Sequence, residues 1–252
     1  MTESHSDDSR GERFDAVLFD RDGTLVVDVP YNTNPERVVP MPTAVATVRR
    51  LREAGIRVGV VTNQSGIGRG LITPEQLHAV NAAIDAAVGP FDAWEVCPHS
   101  PDAGCRCRKP QPGLIFAAAS EWGIVPSRML VIGDIGSDLD AASAAGASAV
   151  LVPNAATRAE EVDAAQFVAR DLAGAVELAF GRALRGGAGA GSAGEAGIRL
   201  AEATAPSPRL RTSRRRYDFR AATTVDDQSL DFETVVSATR LRADARSAGA
   251  RA

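Results

Sequence analysis

Two aspartates, Asp20 and Asp22, stand two residues apart, directly after the apolar run FDAVLF. Like charges this close repel each other, so a metal ion, a reaction or solvent must compensate them. Arg21 lies between them and is compatible with either a solvated side chain or a substrate contact. Alone, the pattern also fits a plain turn or a calcium-binding loop. The other polar groups of the chain must therefore decide its meaning.

Further polar groups follow later apolar runs. They are Thr62, Asn63, Lys109, Asp134 and Asp138. Carboxylates are ligands that Mg²⁺ favours, and a lysine and a hydroxyl suit a phosphate. If these groups meet at one sheet edge, they predict a site for a divalent cation and a phosphate. The alternatives are an ordinary strand-end threonine, a solvated lysine, and, for Asp138 and Asp140, acids that face a helix dipole.

A second cluster carries soft ligands. Its members, in the stretch CPHSPDAGCRC, are Cys97, His99, Cys105 and Cys107. Three thiolates and one imidazole suit tetrahedral Zn²⁺ in a closed structural site, whereas three cysteines in one short loop form a poor disulfide framework. The alternative is three reduced cysteines and a surface histidine. Zinc here would order the loop that carries Arg108 and Lys109.

Strands and helices alternate along the chain and must position both clusters. The apolar runs predict strands at 14–19, 56–62, 91–97, 128–134 and 147–153. Helical spacing and end signals predict helices at 42–55, 73–89, 112–123, 137–146 and 171–184, with Thr73 and Ser137 as caps. This order is typical of an α/β, three-layer Rossmann-like fold with a mainly parallel sheet, whose ligands bind at the carboxyl ends of the strands.

The composition sets the domain boundaries. The chain has 252 residues, of which 44% are hydrophobic, and a net charge of −4. We predict a flexible N-terminus at 1–13, a folded domain at 14–185, and a glycine-rich linker with an arginine-rich, disordered tail at 186–252. The sequence lacks a signal peptide and a long apolar run, so we expect a cytoplasmic protein that does not bind membranes. We also expect a monomer.

The stretch RLRTSRRRYDFR interleaves basic and aromatic residues, as single-stranded nucleic-acid contacts do. Acidic residues follow it and dilute its charge, so we expect a solvated tail and no nucleic-acid partner. A non-catalytic phosphate-binding protein would need to have lost its reactive acid. Asp20, Asp22, Lys109 and Asp134 are all present, which favours an enzyme.

The motifs DRDGTL, Thr62, Lys109 and GDIGSD, in this order, resemble those of the haloacid dehalogenase-type phosphatases. The resemblance covers roughly residues 14–155. It implies that Asp20 is a nucleophile that forms an aspartyl-phosphate and that Asp22 is the general acid and base. It also implies that Thr62 and Lys109 hold the phosphoryl group, and that Asp20, the Asp22 carbonyl and Asp134 bind Mg²⁺. Asp138 would orient this shell.

The cysteine loop before RKP, with DVPYN and VTNQSGIGRG, is similar to the heptose-bisphosphate phosphatase and histidinol-phosphatase branch of that family. This implies that the substrate is a small phosphorylated sugar, namely heptose 1,7-bisphosphate, and that the enzyme removes its 7-phosphate. Histidinol phosphate or another small sugar phosphate is the alternative substrate. Asn63, Arg69 and Arg108 would contact the substrate; for Arg69 a solvated charge is the alternative. No cap domain is expected.

Two features depart from that branch. Ile135 stands where a lysine often follows the fourth-motif aspartate, and only five residues separate His99 from Cys105. Because of the first, one cation at the phosphate site is either missing or supplied by another residue. The second shortens a loop that would border the substrate.

Overall fold

The computed structural model describes residues 14–181. The predicted flexible N-terminus and the predicted linker and tail lie outside the described residues. Within residues 14–181, no helix is long and apolar enough to cross a membrane.

Five strands form a single parallel sheet, as predicted. They are β1 (Ala16–Phe19), β2 (Arg57–Asn63), β3 (Ala93–Cys97), β4 (Met129–Gly133) and β5 (Ser148–Leu151). Their order is β3-β2-β1-β4-β5, so β1 is central, with Phe19 in register with Val60 on one side and Ile132 on the other. The chain runs outward from β1 to β3 and then returns to the other side of β1 at β4. The switch point where α/β sheets place their ligands therefore lies between β1 and β4.

The described helices are α1 (Ala44–Glu53), α2 (Ser65–Gly68), α3 (Pro74–Ala87), α4 (Gly113–Trp122), α5 (Gly136–Ala145), α6 (Ala159–Ala164) and α7 (Leu172–Phe180). The five predicted helices are confirmed as α1, α3, α4, α5 and α7. The first three are shorter than predicted, α5 is shifted by one residue toward the N-terminus, and α7 begins one residue later than predicted. The short helices α2 and α6 were not predicted.

The sheet lies between two helical layers because side chains alternate along each strand. Val17 and Phe19 of β1 pack into a core with α1, α3 and α7, whereas Ala16 and Leu18 pack on the other side with α4 and α5. The three-layer prediction is confirmed. No second domain is inserted between the elements of residues 14–181; the longest connections, 20–43 and 98–112, both border the strand ends.

Local sequence signals predict the start of α3 correctly but not the start of α5. Thr73 and Gln76 form the predicted capping box at α3, with each side chain bonded to the other's backbone N–H. The predicted cap at Ser137 is wrong: α5 begins at Gly136 with Ile135 as its cap residue. Asp138 accepts the Ile135 N–H at 3.3 Å instead, because its carboxylate lies against the start of the helix.

Candidate functional site

The strand ends bring the predicted polar groups to one edge of the sheet. Asp20 directly follows β1, Thr62 and Asn63 end β2, and Asp134 follows β4. Asp20, Thr62 and Asp134 are all buried. Because these strands are adjacent and parallel, their carboxyl ends point the same way and their terminal side chains converge.

Lys109 lies at the centre of the convergent groups. Its Nζ is 2.5 Å from Asp20 Oδ1, 2.5 Å from Asp138 Oδ1 and 2.9 Å from the Val61 carbonyl oxygen. The three N–H bonds of the ammonium thus each have an acceptor. Lys109 is only 4% exposed and Asp138 is fully buried, so solvent screens these contacts little.

Asn63 fixes the backbone of Lys109. Its Nδ2 donates to the Lys109 carbonyl oxygen at 3.1 Å, and its Oδ1 accepts the Lys109 N–H at 3.0 Å. This reciprocal pair joins the end of β2 to the loop before α4. One hydrogen of the Asn63 amide is left over, so a contact with a substrate is compatible with this arrangement.

Burial and the charges of neighbouring groups together set the pKa values of the cluster. Burial raises the pKa of Asp20; Lys109 opposes this, while Asp138, Asp134 and Asp22 raise it further. Burial, and then Asp138, raise the pKa of Asp134 to about 6. Burial alone would lower the pKa of Lys109, but Asp138 and Asp20 outweigh it and raise that pKa. Lys109 therefore stays charged. Additional positive charge at this site would stabilise the ionised forms of Asp20 and Asp134.

Hydrogen bonds from two residues fix the side chain of Asp22, and both reach its Oδ2 atom. Gln64 Nε2 donates to it at 2.7 Å, and Arg21 Nε donates at 3.0 Å. The same Gln64 nitrogen donates to Thr62 Oγ1 at 2.9 Å, so the threonine hydroxyl keeps its own proton for another acceptor. Arg21 is only 2% exposed, so it is neither solvated nor open to a ligand, unlike both expectations.

Asp134 is held from two sides. Thr24 Oγ1 donates to Oδ1 at 3.2 Å, and Asn154 Nδ2 donates to Oδ2 at 2.7 Å and to the Gly23 carbonyl at 3.1 Å. Gly23 has a φ of 82°, and a Cβ there would lie 2.5 Å from Asp134 Oδ2. Only glycine therefore allows the first-motif turn to approach Asp134 this closely.

The cysteine loop forms a compact ligand cluster. The ligand atoms of Cys97, His99, Cys105 and Cys107 all lie within 4.8 Å of one another. The Sγ atoms of Cys97 and Cys105 are 3.7 Å apart, and those of Cys105 and Cys107 are 3.5 Å apart. Tetrahedral coordination with metal–sulfur bonds of about 2.3 Å would place two sulfur atoms about 3.8 Å apart. The cluster therefore has the ligand types and size of a zinc site.

The predicted substrate residues lie around this edge. Arg69 Nη1 donates to the hydroxyl of exposed Tyr31 at 2.8 Å. Arg108 lines a cavity of about 420 Å³ beside Lys109, and its buried Nη1 has no partner in residues 14–181. A buried donor without an acceptor favours an anionic ligand there. Ile135, where a lysine was expected, is partly exposed next to Asp134.

Several residues of the site were missed at the sequence level. They are Thr24, Gln64, Asn81, Asn154 and Thr157. Asn154 offered one usable signal, since it follows the predicted fifth strand and so belongs to the same edge. Gln64 stands within the motif VTNQSGIGRG, but nothing local indicates which acid it contacts.

Comparisons with known proteins agree with this geometry. Residues 106–175 match the HAD-hydrolase-like family. The chain is 41% identical over 141 residues to D-glycero-beta-D-manno-heptose-1,7-bisphosphate 7-phosphatase of Pseudomonas putida, covering 54% of this chain and 81% of the relative. The chain belongs to the haloacid dehalogenase-like phosphatases. A Pseudomonas aeruginosa relative of the same name is 37% identical over 141 residues, covering 54% of this chain and 79% of that protein.

A solved structure extends the likeness to the fold of this haloacid dehalogenase-like phosphatase. The D,D-heptose 1,7-bisphosphate phosphatase of B. bronchiseptica, complexed with magnesium and phosphate, superposes with a TM-score of 0.60 at 31% identity. The match covers 66% of this chain and 97% of that one. The resemblance stated from the motifs is thus confirmed, and the chain is a phosphatase that hydrolyses phosphomonoesters.

Proposed function

We propose that Asp20 attacks the phosphorus of a phosphomonoester and carries the phosphoryl group as an aspartyl-phosphate. The position of Asp20 in the fold supports this proposal. It is buried at the end of the central strand, 2.5 Å from the ammonium of Lys109, and Asp22 follows two residues later. A carboxylate placed in this way has a cation beside it to receive a phosphate and a second acid within reach.

Asp22 supplies and removes the protons. In the first step an Asp20 oxygen bonds to phosphorus, the bond from phosphorus to the sugar oxygen breaks, and Asp22 gives that oxygen its proton. In the second step Asp22 takes a proton from water as the water oxygen bonds to phosphorus. The bond from phosphorus to Asp20 breaks, inorganic phosphate leaves, and both acids return to their initial states.

Thr62 and Lys109 hold the phosphoryl group between these steps. The Thr62 hydroxyl accepts from Gln64, so its own proton is available to a phosphoryl oxygen. Lys109 is kept charged by Asp20 and Asp138 and places that charge beside the nucleophile. Fixed donors of this kind stabilise the charge that spreads over the equatorial oxygens in the transition state.

The charge balance supports Mg²⁺ as the cofactor. Asp20, Asp22, Asp134 and Asp138 face the positive charges of only Lys109 and Arg21 in this cluster. A divalent cation would neutralise the remainder and keep Asp20 ionised for attack, which its raised pKa otherwise opposes. We infer that Asp20, the Asp22 carbonyl and Asp134 hold it, with Thr24 and Asn154 fixing Asp134.

The cysteine cluster supports Zn²⁺ as a structural ion. Four protein ligands close its coordination, so zinc would have no open position for chemistry. Its role would be to order the loop that ends in Arg108 and Lys109, which has little core of its own. The partial exposure of Cys105 and Cys107 is consistent with a site that loads from solvent.

We further propose that the substrate is D-glycero-D-manno-heptose 1,7-bisphosphate and that the 7-phosphate is removed. The names of the relatives support this, as do the cavity beside Arg108 and the unpartnered guanidinium nitrogen in it. Arg108, Arg69 and Asn63 would contact the sugar or its second phosphate, the arginines as planar forks. A bisphosphorylated sugar does not cross membranes unaided, so the reaction would occur in the cytoplasm.

Phosphate release by the purified enzyme tests the substrate directly. Heptose 1,7-bisphosphate and histidinol phosphate are compared at equal concentrations with Mg²⁺ present, and kcat/KM is measured for each. A clear preference for the heptose is expected. Comparable rates on both, or turnover of neither, would contradict the assignment. Light scattering on the same sample tests the expected monomer.

A further inference from the structure

Arg21 is among the largest fully buried side chains in the described part of the chain, yet it is charged. Burying a guanidinium costs free energy unless its N–H groups are bonded. Its Nη1 donates to Asn81 Oδ1 of α3 at 2.8 Å, while Nε and Nη2 lie 3.0 Å and 2.9 Å from Asp22 Oδ2. The guanidinium therefore bridges helix α3 and the second acid of the first motif.

The donors to Asp22 all reach the same oxygen. Arg21 Nε, Arg21 Nη2 and Gln64 Nε2 each point to Oδ2, and Oδ1 receives no hydrogen bond from residues 14–181. An oxygen that already accepts two N–H groups and lies 2.9 Å from a third, cationic nitrogen is a poor place for a proton. When Asp22 is protonated, the proton therefore belongs on Oδ1, which these donors leave free.

The backbone around Asp22 is fixed as well. The Arg21 carbonyl accepts from the N–H groups of Leu25 and Val26 at 3.0 Å and 3.1 Å, and Gly23 N–H donates to the Val26 carbonyl at 2.8 Å. With this turn closed, the remaining freedom of Asp22 is rotation of its side chain. The bridge from Asn81 through Arg21 removes that freedom.

We propose that Arg21, itself held by Asn81, is a positioning residue that locks Asp22 through Oδ2 so that Oδ1 presents the proton to the leaving oxygen. Arg21 does not touch the substrate, since it is buried beneath the turn. This inference rests on the proposed role of Asp22 as general acid. It adds that the residue between the two acids acts through the second of them.

The test compares two leaving groups in single turnovers. The oxygen of an aliphatic phosphomonoester needs a proton to leave, whereas p-nitrophenolate leaves without one. Arg21→Met keeps an apolar chain of similar length in the buried position. We expect about 10²-fold slower phosphoryl transfer from the aliphatic ester, the lower range for general acid catalysis. Nitrophenolate release should change by less than about 3-fold.

Two further variants separate the bridge from charge and from folding. Arg21→Lys keeps the charge but cannot bond both Asn81 and Asp22 as a planar fork, so it should restore little of the rate. Asn81→Leu leaves Arg21 in place but removes its support, so it should show the same leaving-group selectivity with a loss of about 3–10-fold. If Arg21→Met does not fold, Asn81→Leu decides the question by itself.

Asp22→Ala serves as the reference. If it also slows only the aliphatic ester, the role of Asp22 stands, and a uniform loss or no loss in Arg21→Met and Asn81→Leu would overturn the positioning role. Full rescue by Arg21→Lys would overturn the bridge as well. If Asp22→Ala slows both esters equally, the proposed general-acid role fails instead. Any aliphatic phosphomonoester that the wild type hydrolyses can be used, so rejection of the heptose would not affect this test.

Discussion

Asn63 offers a sharp test of how Lys109, a proposed catalytic residue, is placed. Both polar atoms of its amide bond to the backbone of Lys109, at 3.1 Å and 3.0 Å. Asn63→Ala removes both bonds. Asn63→Asp keeps the acceptor for the Lys109 N–H but places a carboxylate oxygen against the Lys109 carbonyl oxygen, so it should be at least as harmful.

The magnitude follows from the two bonds. A hydrogen bond contributes about 0.5–1.5 kcal/mol net, so the pair contributes about 1–3 kcal/mol to holding this backbone. If that free energy is what keeps the ammonium beside Asp20, its loss lowers kcat by about 5- to 150-fold, since about 1.4 kcal/mol corresponds to a factor of ten. KM should rise as well, because Asn63 is also proposed to contact the substrate, so the fall in kcat is what tests the positioning of Lys109.

The assay is steady-state phosphate release with saturating Mg²⁺, together with a thermal melt of each variant. Asn34→Ala is the matched control, because exposed Asn34 makes a comparable bond to the Glu36 N–H without contacting Lys109. It should leave kcat and KM unchanged. A rise in KM with kcat retained in Asn63→Ala would refute the positioning role and favour a direct substrate contact.

Three other outcomes follow from the structure. With Mg²⁺ in excess, a zinc-selective chelator or the substitution Cys105→Ser should lower both the melting temperature and kcat. Unchanged activity after proven zinc loss would refute the role of zinc in ordering the cysteine loop. Burial and Glu121 raise the pKa of partly buried Glu95 to about 7. The folded state therefore binds more protons than the unfolded state between pH 4.5 and 7. The free energy of unfolding consequently falls as pH rises through that window. Glu95→Gln should remove this fall and, in urea unfolding at pH 8, should be about 1–3 kcal/mol more stable than the wild type. An equal pH dependence of stability in both proteins would exclude Glu95 as the source of the fall. Gly23→Ala, strained at positive φ and overlapping Asp134, should cost about 1–3 kcal/mol and weaken Mg²⁺ binding in a titration, whereas wild-type affinity would show that the turn tolerates a side chain.

The fold was predictable because its signals are local and mutually consistent. The apolar runs located all five strands, and the Thr73–Gln76 capping box marked the start of α3. Helices α2 and α6 escaped because four and six residues are too few to show helical periodicity. The cap at Ser137 failed because α5 begins at Gly136, so Ser137 already lies in its first turn. The Asp138 carboxylate accepts the N–H of the cap residue Ile135, which residue type alone could not indicate.

The candidate site was predictable only in part. Residues at strand ends, such as Asp20 and Asp134, could be placed because a parallel sheet brings those ends together. Contacts such as Asn81 with Arg21 could not, since 60 positions separate the two residues and no periodicity links a helix surface to a loop. The burial of Arg21 likewise depends on how α3 packs, so it appears only in three dimensions.

The covalent role of Asp20 is the central claim, and trapping the phosphoryl group tests it most directly. Single turnovers of the wild type are quenched in acid, and the peptide that contains DRDGTL is weighed by mass spectrometry. We expect one added phosphoryl group, located on Asp20, that rises and decays within a turnover. Asp20→Asn should show neither the adduct nor phosphate release while keeping the wild-type melting temperature. Turnover by Asp20→Asn, or a phosphoryl group on another residue, would contradict the account.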